Sequence, residues 1–208
     1  MVLRQIQRRG IFTPRVLEAF CRIPRHRFVP REDWAYAYDD CPLPIGLGQT
    51  ISQPYIVALM TDLLRLRGDE TVLEVGTGSG YQAAILALLT RQVHTIERHP
   101  ALADRARKVL EALGLDNVSV HVGDGSLGWP EAAPYQGILV TAAPPDVPQP
   151  LLDQLVDGGR LVLPVGSPGF QVLQVWQRSG ETWQEETVLS VAFVLLRGKY
   201  GWKEEDTN

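Results

Sequence analysis

Between an apolar stretch, Thr71 to Val75, and a run at helical spacing, Tyr81 to Leu89, the chain reads Glu74-Val75-Gly76-Thr77-Gly78-Ser79-Gly80-Tyr81. Glycines there let a backbone turn tightly and approach a ligand closely at the carboxyl end of a sheet, where doubly wound folds take up nucleotides. A phosphate P-loop is excluded, since no Gly-Lys-Ser/Thr follows. The dinucleotide fingerprint fits poorly, because Tyr81 stands where it has a glycine. An acidic residue ahead of a glycine loop suits a nucleoside that carries a positive sulfonium and an amino acid moiety. Glu74 then lies beside the charged portion, as a direct partner or as the residue that orients Gly76, Thr77, Gly78 and Gly80. A plain tight turn is the alternative that such a loop leaves open on its own.

Two further acidic positions fall where the same ligand needs them. Glu97 ends a second strand, Val93 to Glu97, and a carboxylate there can accept hydrogen bonds from both ribose hydroxyls. Alone it reads equally as a solvated strand-end charge. Asp124, in Gly123-Asp124-Gly125 after a third strand, can accept from the exocyclic amine of adenine while its glycine neighbours keep the pocket wall thin, or be an ordinary turn aspartate. Three separate loops at one sheet edge favour a nucleoside pocket over three independent turns, and S-adenosylmethionine is the cofactor that combines nucleoside, sulfonium and amino acid.

The elements that must hold these residues alternate. Thr71 to Val75, Val93 to Glu97, Val118 to Val122, Tyr135 to Thr141 and Arg160 to Val165 read as strands. Helical runs stand between them at Tyr81 to Leu89, Ala101 to Leu113 and Gln149 to Val156. Continuous apolar strands separated by helices predict a mostly parallel, doubly wound sheet covered on both faces. Beyond Pro168, Val172 to Gln177 and Trp183 to Leu189 predict a hairpin turning near Ser179 and Gly180. Upstream, Thr13 and Pro14 start a helix that Pro24 ends. Residues 24 to 51 read as an irregular stretch punctuated by prolines and glycines. Ser52 is expected to open a helix carrying Ile56, Leu59, Met60, Leu63 and Leu64, with Pro54 in its first turn. Lys203 to Asn208 reads as a frayed tail.

A chain of 208 residues, 45% hydrophobic and 21% charged, suits one compact α/β domain. We divide 1–208 into an N-terminal substrate-side extension (1–70), a cofactor-binding core (71–166), and C-terminal strands with a lid (167–202). The longest apolar runs, such as Val191 to Leu196, fall far short of the roughly 18 residues a membrane span needs. The start of the chain lacks the apolar stretch of about 7 to 15 residues found in a secretory signal, so the cytoplasm is the expected compartment. A net charge of −4 argues against a nucleic-acid substrate. The cluster Arg22, Arg25, His26, Arg27, Arg31 reads as a solvated surface or a local basic patch. Cys21 and Cys41 form no CxxC pair and stand near no histidine at ligand spacing, so no metal site is expected.

Upstream of the glycine loop, Ala37-Tyr38-Asp39-Asp40-Cys41-Pro42-Leu43-Pro44-Ile45-Gly46 runs into Gly48-Gln49-Thr50-Ile51-Ser52-Gln53-Pro54. With Gly123-Asp124-Gly125, Ala133-Pro134-Tyr135, Val147-Pro148-Gln149-Pro150-Leu151 and Asp157-Gly158-Gly159-Arg160-Leu161-Val162-Leu163-Pro164-Val165-Gly166, it resembles the protein-L-isoaspartate O-methyltransferases over roughly residues 10 to 202. Near the end the family commonly reads Val-Pro-Leu where this chain has Val194-Leu195-Leu196, followed by Arg197 in place of a small residue.

The resemblance implies a Rossmann-like class I fold and methyl transfer from S-adenosylmethionine to the free carboxylate of isoaspartyl residues in damaged proteins. The resulting ester is lost as the chain closes to a succinimide, which begins repair. It carries the catalytic role to Ser52, a cofactor-binding role to Gln49, Thr50 and Ile51, and substrate contacts to Thr50 and Ser52. Ser52 at a helix start would adjoin free backbone N–H groups, although an N-cap serine alone explains its type. A carboxylate acceptor also suits Thr141-Ala142-Ala143-Pro144, which offers no side chain to orient or deprotonate an amine; a carboxyl of pKa about 4 is already ionised. His26, His94, His99 and His121 read as structural or surface residues. A monomer with an open cleft suits bulky, varied substrates. The rival readings are a small-molecule methyltransferase, a nucleoside-binding sensor without turnover, and a nicotinamide oxidoreductase.

Overall fold

The structure, a computed structural model, describes residues 1–203, so the tail expected over Lys203 to Asn208 lies outside it apart from Lys203. The N-terminal part contains α1 (Pro14–Arg22), a two-stranded hairpin of β1 (Leu43–Gly46) and β2 (Gln49–Ile51), and α2 (Pro54–Leu63). The stretch expected to be irregular is thus built: two short 3-10 helices, Arg25–Phe28 and Arg31–Tyr36, precede the hairpin. The expected basic cluster is split, with Arg22, Arg27 and Arg31 exposed and Arg25 fully buried.

The strands β3 (Thr71–Val75), β4 (Gln92–Glu97), β5 (Val118–Val122), β6 (Tyr135–Val140), β7 (Leu155–Ser167), β8 (Phe170–Ser179) and β9 (Thr182–Val191) form one sheet, in the order β5-β4-β3-β6-β7-β8-β9. The first five are parallel; β8 and β9 add antiparallel, as the hairpin pattern predicted. In β3, Val72 to Val75 are fully buried, the burial that continuous apolar strands require when both faces are covered. Val72, Val93, Leu139 and Val162 pack toward α2 and α3 (Tyr81–Ala87). Leu73, Val75, Ile138 and Leu161 pack toward α5 (Gln149–Asp153). Further helical cover comes from α4 (Pro100–Ala112), whose Leu102 and Leu110 share a core with α1, the hairpin and α3.

The helix expected over Gln149 to Val156 stops at Asp153. Gln154 is held instead by three strong groups: its carbonyl accepts from Tyr135 N, its side-chain amide donates to Leu127 O, and its side-chain oxygen accepts from Trp129 N. Leu155 is then already paired with Tyr135 in the β6–β7 ladder.

Strand order runs outward in opposite directions from β3 and β6, and such a switch point leaves a crevice at the carboxyl ends. Register places Val75 level with Ile96 and Val140, so Gly76, Glu97 and Thr141 emerge together at that edge.

Candidate active site

The glycine loop follows β3 into this crevice. Gly76 has φ +96°, and a Cβ there would stand 2.3 Å from Thr141 Oγ1, so both conformation and space require glycine. The Thr141 hydroxyl lies 2.7 Å from Gly76 O and 3.1 Å from Val75 O, and its one proton is committed to fixing the loop. Gly80 serves differently. It caps α3 at φ +87°, a Cβ on it would meet Ala106 of α4 at 3.2 Å, and it does not reach the cavity walls described next. Thr77 is buried, its hydroxyl 2.6 Å from that of Thr95.

Above the loop lies a cavity of about 410 Å³, a volume suited to a nucleoside with an amino acid arm. Its walls are the hairpin tip Leu47 to Thr50, the loop residues Gly76 and Gly78, Glu97 to His99, Gly125, Thr141 and Ala142, and Val194 to Arg197. Glu97 is 5% exposed; Oε2 accepts from Gly78 N and Oε1 from His99 N, both at 2.9 Å. Each oxygen keeps a second lone pair, so one carboxylate can order the loop and still receive ribose hydroxyls. His99, expected to be merely structural or superficial, lines this wall.

Gly125 reaches the cavity, but Asp124 does not turn its carboxylate into it. Oδ1 accepts from Ser126 N and Oγ, and Oδ2 from Lys199 N at 2.7 Å. The residue expected to meet adenine therefore ties down the C-terminal segment. That segment is also held by Ala143, whose amide donates to Val194 O while its carbonyl accepts from Leu196 N and from Trp202 Nε1. Leu195 and Arg197, where the chain departs from the Val-Pro-Leu pattern and the small residue after it, close one side of the cavity together with Leu196.

Beneath the loop a small polar cavity of about 40 Å³, room for a water-sized group, brings Ser52, Thr50 and Ile51 to Glu74, Thr77 and Gly78. Glu74 is fully buried. Its Oε2 accepts from Thr95 Oγ1 at 2.5 Å and its Oε1 has no partner among the described residues. Burial pushes its carboxyl up to about 8, against the Thr95 hydrogen bond and with a small addition from Glu97. A buried carboxyl with an open acceptor at a polar cavity is what a cationic amino acid end would satisfy.

A third space, about 420 Å³, opens between Pro42, Ser52, Gln53 and Ile56 on one side and Ser190 to Val194 on the other. Thr50 and Thr141 border all three spaces, and Ser52 borders the last two. Ser52 is not the helix N-cap that its type suggested. Pro54 takes the first helical position and Gln53 the cap, while Asp40 supplies the capping oxygen to Tyr55 N at 3.2 Å. The Ser52 hydroxyl consequently makes no hydrogen bond among the described residues.

The model of the family described as protein-L-isoaspartate(D-aspartate) O-methyltransferase matches residues 1–201. The chain is 53% identical over 206 residues to a protein-L-isoaspartate O-methyltransferase of Syntrophotalea carbinolica, covering 99% of this chain and 95% of the relative. It is 57% identical over 203 residues to the protein of the same name from Methanoregula boonei, covering 98% and 94%. A solved protein-L-isoaspartate O-methyltransferase superposes with a TM-score of 0.86 at 28% identity, over 97% of this chain and 67% of that one. A Plasmodium falciparum structure of a protein of that description, in complex with S-adenosyl-L-homocysteine, shares the fold at a TM-score of 0.80 and 24% identity, over 94% and 96%.

Proposed function

This chain belongs to the protein-L-isoaspartate(D-aspartate) O-methyltransferase family, and from that premise we propose how its own residues divide the work. The reaction is S-adenosylmethionine-dependent methylation of isoaspartyl carboxylates, the opening step of repair through a succinimide. The observation that carries the assignment of parts is the meeting of the three spaces at Thr50 and Thr141, with Ser52 bordering the two on the acceptor side.

The residues present fit the cofactor. Gly76 and Gly78 leave room at the loop, Glu97 offers free lone pairs to the ribose, and Glu74 has an unsatisfied oxygen for the amino acid end. When bound, the cofactor supplies a methyl group on a positive sulfonium, open to in-line attack by a carboxylate oxygen. Gln49, Thr50, Gly125 and Leu195 to Arg197 would line its sides and limit the access of water. The third space receives the substrate backbone. The free Ser52 hydroxyl donates to the acceptor carboxylate, and Thr50 lines its approach. No base is required of the protein, because the acceptor is ionised at neutral pH, so positioning and desolvation carry the rate.

Residues 1–70 and 167–202 share the acceptor side, 71–166 supplies the cofactor core, and 167–202 also the closing segment. No helix among the described residues is long and apolar enough to cross a membrane. We place the enzyme in the cytoplasm as a monomer whose cleft admits many protein chains, without a nucleic-acid partner.

Incubation with labelled S-adenosylmethionine and matched peptides tests the function. The isoaspartyl peptide becomes labelled and its ordinary aspartyl counterpart does not. Equal labelling of both, or labelling of a peptide without a free carboxylate, overturns the assignment.

A further inference from the structure

Arg25 is a fully buried cation behind Ser52. Its Nε donates to Ala37 O and its Nη2 to Ser52 O, both at 2.8 Å, while Nη1 meets the strict geometry of a hydrogen bond with none of the described residues. The guanidinium lies 4.9 Å from the centre of the Tyr81 ring, and the equally buried Tyr81 hydroxyl faces it with no other hydrogen-bond partner among the described residues. No carboxylate pairs with Arg25 among the described residues. Asp40, the carboxylate that acts on it more weakly than Tyr81 and Cys41 do, already forms an ion pair with Arg9 at 2.8 Å and accepts from Tyr55 N. Burial holds the Tyr81 phenol well above its ordinary range and therefore neutral. Arginine keeps its charge even when desolvated, and buried charges ordinarily have an opposite partner.

We infer that Arg25 is a positioning residue of the acceptor site: its guanidinium locks the Ser52 carbonyl to that of Ala37, and its positive charge, paired with no carboxylate among the described residues, favours an anionic acceptor beside Ser52 over a neutral one. The inference rests on the reading of Ser52 as the acceptor-side hydroxyl. It explains how a hydroxyl, a weak discriminator of charge, can stand in a site that selects a carboxylate. The missing counter-ion is the substrate itself. A planar fork also suits the task better than an ammonium, since two of its edges reach two carbonyls on different loops at once.

The test compares two ligands in the presence of S-adenosylhomocysteine: an isoaspartyl peptide, and the same peptide with its free carboxylate replaced by a carboxamide. In R25Q, the preference for the carboxylate falls by at least about tenfold while affinity for the carboxamide is unchanged, a loss in keeping with one charge-assisted interaction. A purely structural role weakens both ligands alike, and that result overturns the charge argument. R25K retains the charge but cannot bridge both carbonyls, so it keeps the carboxylate preference and loses about tenfold in kcat. Unchanged kcat in R25K overturns the positioning role, and this arm decides the matter if R25Q fails to bind S-adenosylhomocysteine. S52A in the same assay separates the two readings. Normal turnover in S52A removes the premise, whereas impaired S52A beside an unaltered R25Q ratio removes the role of Arg25 alone.

Discussion

The carboxylate of Asp124 accepts a hydrogen bond from the backbone amide of Lys199, 75 positions further along the chain, and so joins the turn after β5 to the segment that closes the cofactor cavity. Asp124→Ala is expected to loosen residues 194–202 and, through them, to weaken S-adenosylhomocysteine binding by about 1 to 3 kcal/mol, the range for hydrogen bonds to a charged acceptor. Hydrogen exchange and calorimetry on one sample check this. Lost affinity with unchanged exchange over 194–202 returns the carboxylate to direct contact with the ligand.

Ser52 and Asp40 separate catalysis from capping. Ser52→Ala should melt with the parent protein yet lose at least about tenfold in kcat on isoaspartyl peptide, as an interaction confined to the transition state does. Asp40→Ala removes the oxygen that caps α2 and should lower stability by about 0.5 to 2 kcal/mol. The exposed half of its pair with Arg9 adds little. A stability loss in Ser52→Ala with normal kinetics would reverse the two roles.

Glu97→Gln keeps the shape of the side chain and leaves one oxygen to do the work of two. Either Gly78 N or His99 N then loses its acceptor, and cofactor affinity should fall by about 1 to 3 kcal/mol. Titration calorimetry that finds the same Kd in this variant takes the residue out of the ribose site.

Two opposite pH dependences are built into the cofactor-free protein. Glu74 has its pKa raised from 4.5 to about 8, so the folded chain keeps a proton that the unfolded chain releases. Its favourable contribution is complete below pH 4.5 and is lost as the pH rises through about 8. His94 and His121, joined by a 3.1 Å N···N hydrogen bond, are both lowered from 6.5 by burial, and His121 also by His94. Their contribution is present above pH 6.5 and is lost as the pH falls below it. Melting curves from pH 5 to 9 should therefore lose the fall between pH 5 and about 8 in Glu74→Gln and the fall below pH 6.5 in His94→Gln. Parallel curves for parent and Glu74→Gln would refute the raised carboxyl.

The parallel core was legible because its signals are local: glycine spacing, strands apolar at every position, and proline or glycine at the ends of helices. What escaped rests on contacts between distant residues. The hairpin of residues 43–51 is steadied by Arg105, which donates to Ile45 O from α4, and Gln53 donates to Asp40 O from the next element. Neither bond leaves a pattern in the chain. Arg25 looked like a member of an exposed basic run because neighbours in sequence share type but not burial. A serine two residues before a proline resembles a cap, yet Ser52 stands one position ahead of the cap Gln53, and only the geometry shows Asp40 in the capping role. The short α5 has the same origin, its end being set by the bonds of Gln154 to Leu127, Trp129 and Tyr135.

Among the described residues β9 pairs only with β8, so one edge of the seven-stranded sheet is open, and it carries Glu185 and Glu186, both exposed, just after Glu181 in the turn. An open edge is a template for any extended chain, and an enzyme that handles flexible, damaged proteins meets such chains constantly. Adjacent carboxylates, projecting to opposite faces of β9, charge both sides of that edge against backbone pairing. Replacing them with threonine or valine would leave the active site untouched and give the enzyme a second, unproductive way to hold its clients, ending in co-aggregation rather than release.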